Sequence, residues 1–201
     1  MAIEIEIEKM DGRRARGLRT RDAIISALLD LIAGGDIAPT AQRIADRAGV
    51  SVRSVYQHFA DVEGLYADAA ERTYRWIKET AKDVDPQLPL QRRVDAFVEG
   101  RAGALEPLLP FHRAVRLMEP TSERVHGYRV AMEKWEKERV GKVFAAELRA
   151  MDGSRRTTVL SGIDVLSSTD GWDHLRRNGQ SPRGARQVLR AGILALLGGG
   201  G

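Results

Sequence analysis

The segment Val52-Arg53-Ser54-Val55-Tyr56-Gln57-His58 carries side chains suited to the edges and backbone of DNA. Arg53 can give two hydrogen bonds to guanine O6 and N7, Gln57 can pair with adenine N6 and N7, and Val52 can touch a thymine methyl group. The hydroxyls of Thr40, Ser54 and Tyr56 suit phosphate oxygens, which fix position rather than read sequence. His58 suits either task, and Gln42 and Ser51 complete the candidate DNA-binding set.

These groups need a rigid rod to present them. Thr40 is a good N-cap for a brief helix through Ala48. Gly49 tolerates positive φ at the break, and Ser51 can cap a second short helix that carries Val55 and Phe59. Two short helices joined by a glycine-containing turn make a helix-turn-helix. Ala45 is small where the two helices cross, and Val50 and Val55 plug the space between them. That leaves Val52, Arg53, Ser54, Tyr56, Gln57 and His58 to enter a major groove. Upstream, Ile24, Ile25, Leu28, Leu29 and Ile32 recur at spacings of three and four, one face of a helix over 21–33, stopped by Gly34-Gly35. An ordinary three-helix core would have no use for Tyr56, Gln57 and His58 on its outside.

Charge agrees in sign. The whole chain of 201 residues has 32 Lys and Arg against 28 Asp and Glu, a net charge of +4, so a polyanion must be met by a local patch. From Arg13 to Phe59 there are eight arginines and four aspartates, again net +4, while the first twelve residues are net −3. Arg13, Arg14, Arg16, Arg19 and Arg21 form a basic stretch ahead of the first helix, placed to follow phosphates or enter a minor groove. The alternating Ile3-Glu4-Ile5-Glu6-Ile7-Glu8 suits a strand or an unstructured end, and 1–17 is expected to be a flexible arm.

Several functions are excluded or unsupported. The chain has no Cys, which removes disulfides, thiolate metal sites and thiol nucleophiles. No histidine pair stands at metal-binding spacing, and no nucleophile elbow or phosphate-binding loop is present, so neither catalysis nor a metal or other cofactor is expected. No apolar run approaches the roughly 18 residues of a membrane span, and the acidic start is unlike a signal peptide, so a cytoplasmic protein is expected.

The remainder reads as helix. Asp61 caps a long helix over 62–81, with Leu65, Ala69, Trp76 and Ile77. A helix follows over 90–104. The apolar piece 105–118 is interrupted by Pro107 and Pro110. Longer helices are expected over 122–151, 157–176 and 182–197. The fold class is all-α: an N-terminal helix-turn-helix domain of three helices over 18–62, then a helical bundle over 63–201.

Residues 20–66 resemble the DNA-binding domain of the TetR family of bacterial transcriptional regulators. The resemblance is carried by Ile24, Leu28 and Ile32, by Thr40, Ile44-Ala45 and Ala48-Gly49-Val50-Ser51, and above all by Val55-Tyr56-Gln57-His58-Phe59 followed by Leu65. The order of helices and the Trp172-x-x-Leu175-Arg176 run are also similar. The chain departs from the family at Val62, where a phosphate-binding Lys is usual. The resemblance implies a repressor that binds a near-palindromic operator in double-stranded DNA as a homodimer and is released by a small-molecule effector. It implies an apolar ligand site in the bundle, for which Trp76, Phe97, Phe111, His112, Met118, Tyr128, Met132 and Trp135 are the candidate lining, with Arg113, Arg116 and His126 as further polar anchors. It also implies pairing of the last two helices with their copies, through Gly162, Leu166, Ala185, Val188, Leu189, Gly192, Ile193 and Leu196. Two other readings stay open: a helical small-molecule-binding protein that has lost specific DNA binding, which Val62 favours, and a DNA binder indifferent to sequence.

Overall fold

A computed structural model describes residues 2–198, with side-chain surroundings for residues 12 and 14–198. Among these residues there are ten α-helices, one 3-10 turn and no strand: α1 (Ala2–Ala33), α2 (Ala41–Ala48), α3 (Val52–His58), α4 (Val62–Thr80), α5 (Leu90–Met118), the turn Glu119–Thr121, α6 (Glu123–Val143), α7 (Ala145–Arg149), α8 (Gly153–Ser167), α9 (Thr169–Arg177) and α10 (Pro182–Gly198). No helix among the described residues is long and apolar enough to cross a membrane. The chain divides into two compact units, one of Met1–Thr73 with Arg113–His126, the other of Tyr74–His112 with Gly127–Gly201. A single boundary after residue 62, as the sequence suggests, differs from this division.

In the first unit, Ile24, Leu28 and Ile32 of α1 are buried with Ile44 and Ala45 of α2, Val55 of α3 and Leu65 of α4. The caps follow the local chemistry. The Thr40 hydroxyl accepts from the Arg43 N–H at 3.3 Å, and the Ser51 hydroxyl accepts from the Ser54 N–H at 3.1 Å. Gly49 closes α2 at φ +68°, a conformation that favours glycine, and Val50 N–H then reaches back to the Ala45 carbonyl at 3.0 Å. The Asp61 carboxylate accepts from Gly64 N–H at 2.7 Å and starts α4. The residues expected to be a flexible arm or a strand, 1–17, are helical from Ala2 onward. No proline interrupts them.

In the second unit, the core gathers Val94, Phe97, Val98 and Leu105 of α5, Val140 of α6, Phe144, Val159 and Ile163 of α8, Trp172 of α9, and Ala185, Leu189 and Ile193 of α10. Three expectations about its helices change. Pro107 and Pro110 do not break the chain into pieces, for α5 runs through both. Each removes an amide donor, and the burial of Leu105 and Leu109 beside them outweighs that loss. The helix expected over 122–151 ends at Val143, where Phe144 turns its ring against Phe97, edge to face at 5.4 Å, and α7 starts anew. The helix expected over 157–176 starts earlier, at Gly153, and is divided at Ser168. The Ser168 hydroxyl donates to the Val165 carbonyl at 2.8 Å and accepts from Gly171 N–H at 3.0 Å, ending α8 and capping α9. Gly171 is required at this corner, because a Cβ there would stand 2.6 Å from the Val165 carbonyl oxygen.

Candidate nucleic-acid interface

Helix α3 is held by one side. Val55 and the following Phe59 are buried, and on the opposite side Arg53, Tyr56 and Gln57 are exposed, Tyr56 by 51%. Val52 and Ser54 are half-buried. Thr40 and Ser51 are exposed, and each accepts a backbone N–H at a helix start. Their hydroxyl hydrogens stay available for phosphate oxygens. Gln42 is exposed too, although its amide donates to Asp46 at 2.8 Å. The outward groups therefore lie on one short rod, at its own N-cap and at the start of α2.

His58 is placed differently from Arg53 and Gln57. It is half-buried, and its Cε1 lies 3.9 Å from the Cβ position of Gly17 in α1. Its carbonyl oxygen accepts from the Arg21 guanidinium at 2.6 Å. Arg21 also stacks over the Phe59 ring at 4.2 Å and pairs with Asp68 of α4. Asp68 takes a second arginine, Arg124 of α6, at 3.0 Å. This cluster fixes the C-terminal end of α3. Sequence reasoning placed Arg21 in the basic stretch and missed it, although its spacing of three, four and seven from Ile24, Ile25 and Leu28 puts it on the buried face of α1.

The positive charge of this unit is partly used internally. Arg47 pairs with Asp30 at 2.7 Å, and Arg43 pairs with Asp36. Arg14, Arg16, Arg19 and Arg53 are exposed, with no ion pair among the described residues. Below α2, the Tyr66 hydroxyl donates to the Ile37 carbonyl at 3.2 Å. Burial, and then the charge of Asp36, push its phenol up to about 12.

Sequence-named residues line two of the larger cavities of the second unit. The smaller, about 50 Å³, is lined by Phe111, His112 and Met132, with His112 Nε2 3.0 Å from the Asp170 carboxylate. The larger, about 360 Å³, is lined by Trp76 and Phe97 among others. Met118, Tyr128 and Trp135 line neither of them. Met118 belongs to the first unit, and Trp135 lies under the Arg139 guanidinium at 4.9 Å. The further anchors are spent elsewhere: Arg116 and His126 both reach Glu119, at 2.7 and 2.9 Å, in the first unit, which also holds Arg113. The charged wall of the larger cavity was missed: it includes Lys82, Arg101 and Arg139. The signal for Arg101 is its place on the stripe Val94, Val98, Arg101, Leu105, where a cation on a core face must have a partner.

The expected dimer surface is corrected in part. Ala185, Leu189 and Ile193 have no exposed surface and complete the core beneath Trp172. Gly162 and Gly192 admit neighbours within the same chain: their Cβ positions lie 3.0 Å from Leu196 and 2.8 Å from Leu166. These four residues pack α8 on α10. Val188 remains outward at 37% exposure, joined by Val165 at 66%. An apolar stripe at helical spacing has the same residue types whether it meets its own core or a second copy.

Residues 24–69 match the family model described as bacterial regulatory proteins, tetR family. A transcriptional regulator from Rhodococcus sp. Rha1 shares the fold, with TM-score 0.71 and 17% identity, over 89% of this chain and 96% of that one. A protein described as a TetR-family transcriptional regulator from Mesorhizobium loti MAFF303099 follows at TM-score 0.67 and 17% identity, over 91% and 97%. The multidrug binding protein EbrR, solved with imidazole, has TM-score 0.57 and 16% identity, over 86% and 94%. At these identities the likeness is one of fold. Among curated proteins none matches the sequence.

Proposed function

We propose that this chain, which matches the tetR-family model over residues 24–69, is a regulator with a DNA-binding N-terminal domain that represses transcription as a ligand-released homodimer. The observation that carries this reading is the outward set Arg53, Tyr56 and Gln57 on a helix anchored by Val55 and Phe59. Two copies related by a two-fold axis set two such helices about one DNA turn, roughly 34–36 Å, apart, so the operator is near-palindromic. Pairing uses the outer side of α8 and α10, where Val165 and Val188 are exposed.

A small molecule enters the second unit. Helices α4, α5 and α6 each begin in one unit and end in the other along the chain, so a change at a cavity wall is carried by continuous helix into the unit that holds α3. A coupling of about 1–3 kcal/mol reduces operator affinity about 5- to 150-fold. The DNA-binding set is then Thr40, Gln42, Ser51, Val52, Arg53, Ser54, Tyr56 and Gln57, with His58 turned toward α1.

Mobility-shift titration against operators selected from random oligonucleotides, repeated at two salt concentrations, tests the proposal. Discrimination of at least about 10³-fold over unrelated DNA is expected. Val62 at the start of α4 favours the other reading, a ligand-binding protein without specific DNA binding. Failure to enrich any sequence would support that reading instead.

A further inference from the structure

The larger cavity has an apolar wall and a cationic side. Trp76, Ile77, Val84 and Phe97 supply the apolar surface, and Lys82 and Arg139 stand at the polar side. Its volume of about 360 Å³ falls in the range of small-molecule sites.

The two arginines in the wall differ in what they are bound to. Arg101 is consumed. It is buried, it grips both oxygens of Glu136 at 2.6 and 3.1 Å, and its Nε donates to the Ser167 carbonyl at 3.0 Å. Arg139 is not. One N–H donates to the Lys82 carbonyl at 2.7 Å, its guanidinium rests over Trp135, and among the described residues no carboxylate pairs with it and no other acceptor takes its remaining N–H groups. Burial, and then the charge of Arg101, disfavour its protonated form; Asp83 and Glu136 compensate only in part. Lys82 also has no ion pair among the described residues, and Glu99 across the cavity is engaged by Arg186 at 3.2 Å.

The α5 wall opposite is kept low. Gly100 and Gly103 line the cavity, and a Cβ at either would meet nothing within 4 Å. Glycine inside a helix costs stability relative to alanine. Here no packing neighbour requires it, and what it provides is room.

We propose that this cavity binds an apolar monoanion, a carboxylate on an aromatic or alkyl body, with the Arg139 guanidinium as its anchor and Lys82 as its second cation. The carboxylate takes the N–H groups that the protein leaves unmatched, and the body lies between Trp76 and Phe97 over the glycine wall. This rests on the reading of the second unit as the effector-binding part and names the chemical class of that effector.

Calorimetric titration of the full chain with three matched probes tests it: 2-naphthoate, 2-naphthalenemethanol and 2-naphthylmethylamine. The expected order is the carboxylate at least about tenfold tighter than the alcohol, with the amine weakest. Arg139→Met should bring the carboxylate to the affinity of the alcohol while leaving the alcohol unchanged, which also reports that the variant is folded. Lys82→Met should lower the carboxylate alone by a smaller factor. Gly103→Leu should abolish binding of all three. Equal binding of the three probes, or a carboxylate preference that survives Arg139→Met, overturns the anion assignment and leaves the effector site standing. Absence of binding by all three overturns both the assignment and this cavity as the effector site.

Discussion

Arg21 of α1 donates to the carbonyl oxygen of His58, the last residue of α3, at 2.6 Å. A side chain from the first helix thus terminates the third, and it does so while stacked on Phe59 and paired with Asp68. The aim of Arg53 and Gln57 depends on that end being fixed.

Replacing Arg21 by Met should therefore do two things at once. Losing the charged hydrogen bonds and the ring contact should lower stability by about 2 kcal/mol. Affinity for DNA should fall for every sequence alike, because the rod is loosened rather than a base contact removed. Arg21→Lys should recover part of the stability, since a lysine keeps the charge without the planar fork. Thermal unfolding and a binding titration on the same samples check both effects; an unchanged unfolding midpoint in Arg21→Met would mean that the clamp carries nothing.

Arg53→Ala should instead cost about 1–3 kcal/mol at the preferred operator and relax preference at one base position. Binding to a panel of single-base operator variants measures this. A loss that is uniform over the panel would assign Arg53 to phosphate.

Val165 is the most exposed large apolar side chain of α8, at 66%. If the proposed homodimer uses this face, Val165→Asp should raise the dimer dissociation constant by an order of magnitude or more, with little effect on folding, since the residue is outside the core. Sedimentation equilibrium reads the first and circular dichroism the second. A dimer that survives both Val165→Asp and Val188→Asp would place the partner contact on another face.

Tyr66 predicts an alkaline signature. Its phenol is raised from 10.0 to about 12 by burial. The unfolded chain loses this proton first as pH rises, so the contribution of the group is intact below pH about 10 and is lost on approaching the folded value. The loss amounts to roughly 2–3 kcal/mol across that interval. Tyr66→Phe should flatten this part of the pH–stability curve, apart from a pH-independent offset of about 1 kcal/mol for the bond to Ile37. Denaturant titrations between pH 9 and pH 12 on both proteins give the comparison; parallel curves would show that Tyr66 ionises as freely as in the unfolded chain.

How far these features could be read from the sequence follows from the range of the interactions. The helix-turn-helix was legible because its determinants are local: Thr40 and Ser51 bond three residues ahead, Gly49 needs only its own φ, and Val55 lies on a period the sequence displays. Ser168 was equally local and was passed over, since the apolar period continues on both sides of it. Phe144 was not legible, because its turn answers to Phe97, 47 positions earlier. The roles of Arg21, Arg101 and Arg139 depend on partners brought by other helices. Composition shows that the chain has many arginines but not which are already bound.

The two prolines of α5 have a mechanical consequence. Without amide hydrogens at Pro107 and Pro110, the carbonyl oxygens of Gly103 and Glu106 lack the donor four residues on that every uninterrupted turn supplies. The column is weakest in bending just past Gly103. Bending the helix there breaks fewer backbone hydrogen bonds than bending it at an intact turn.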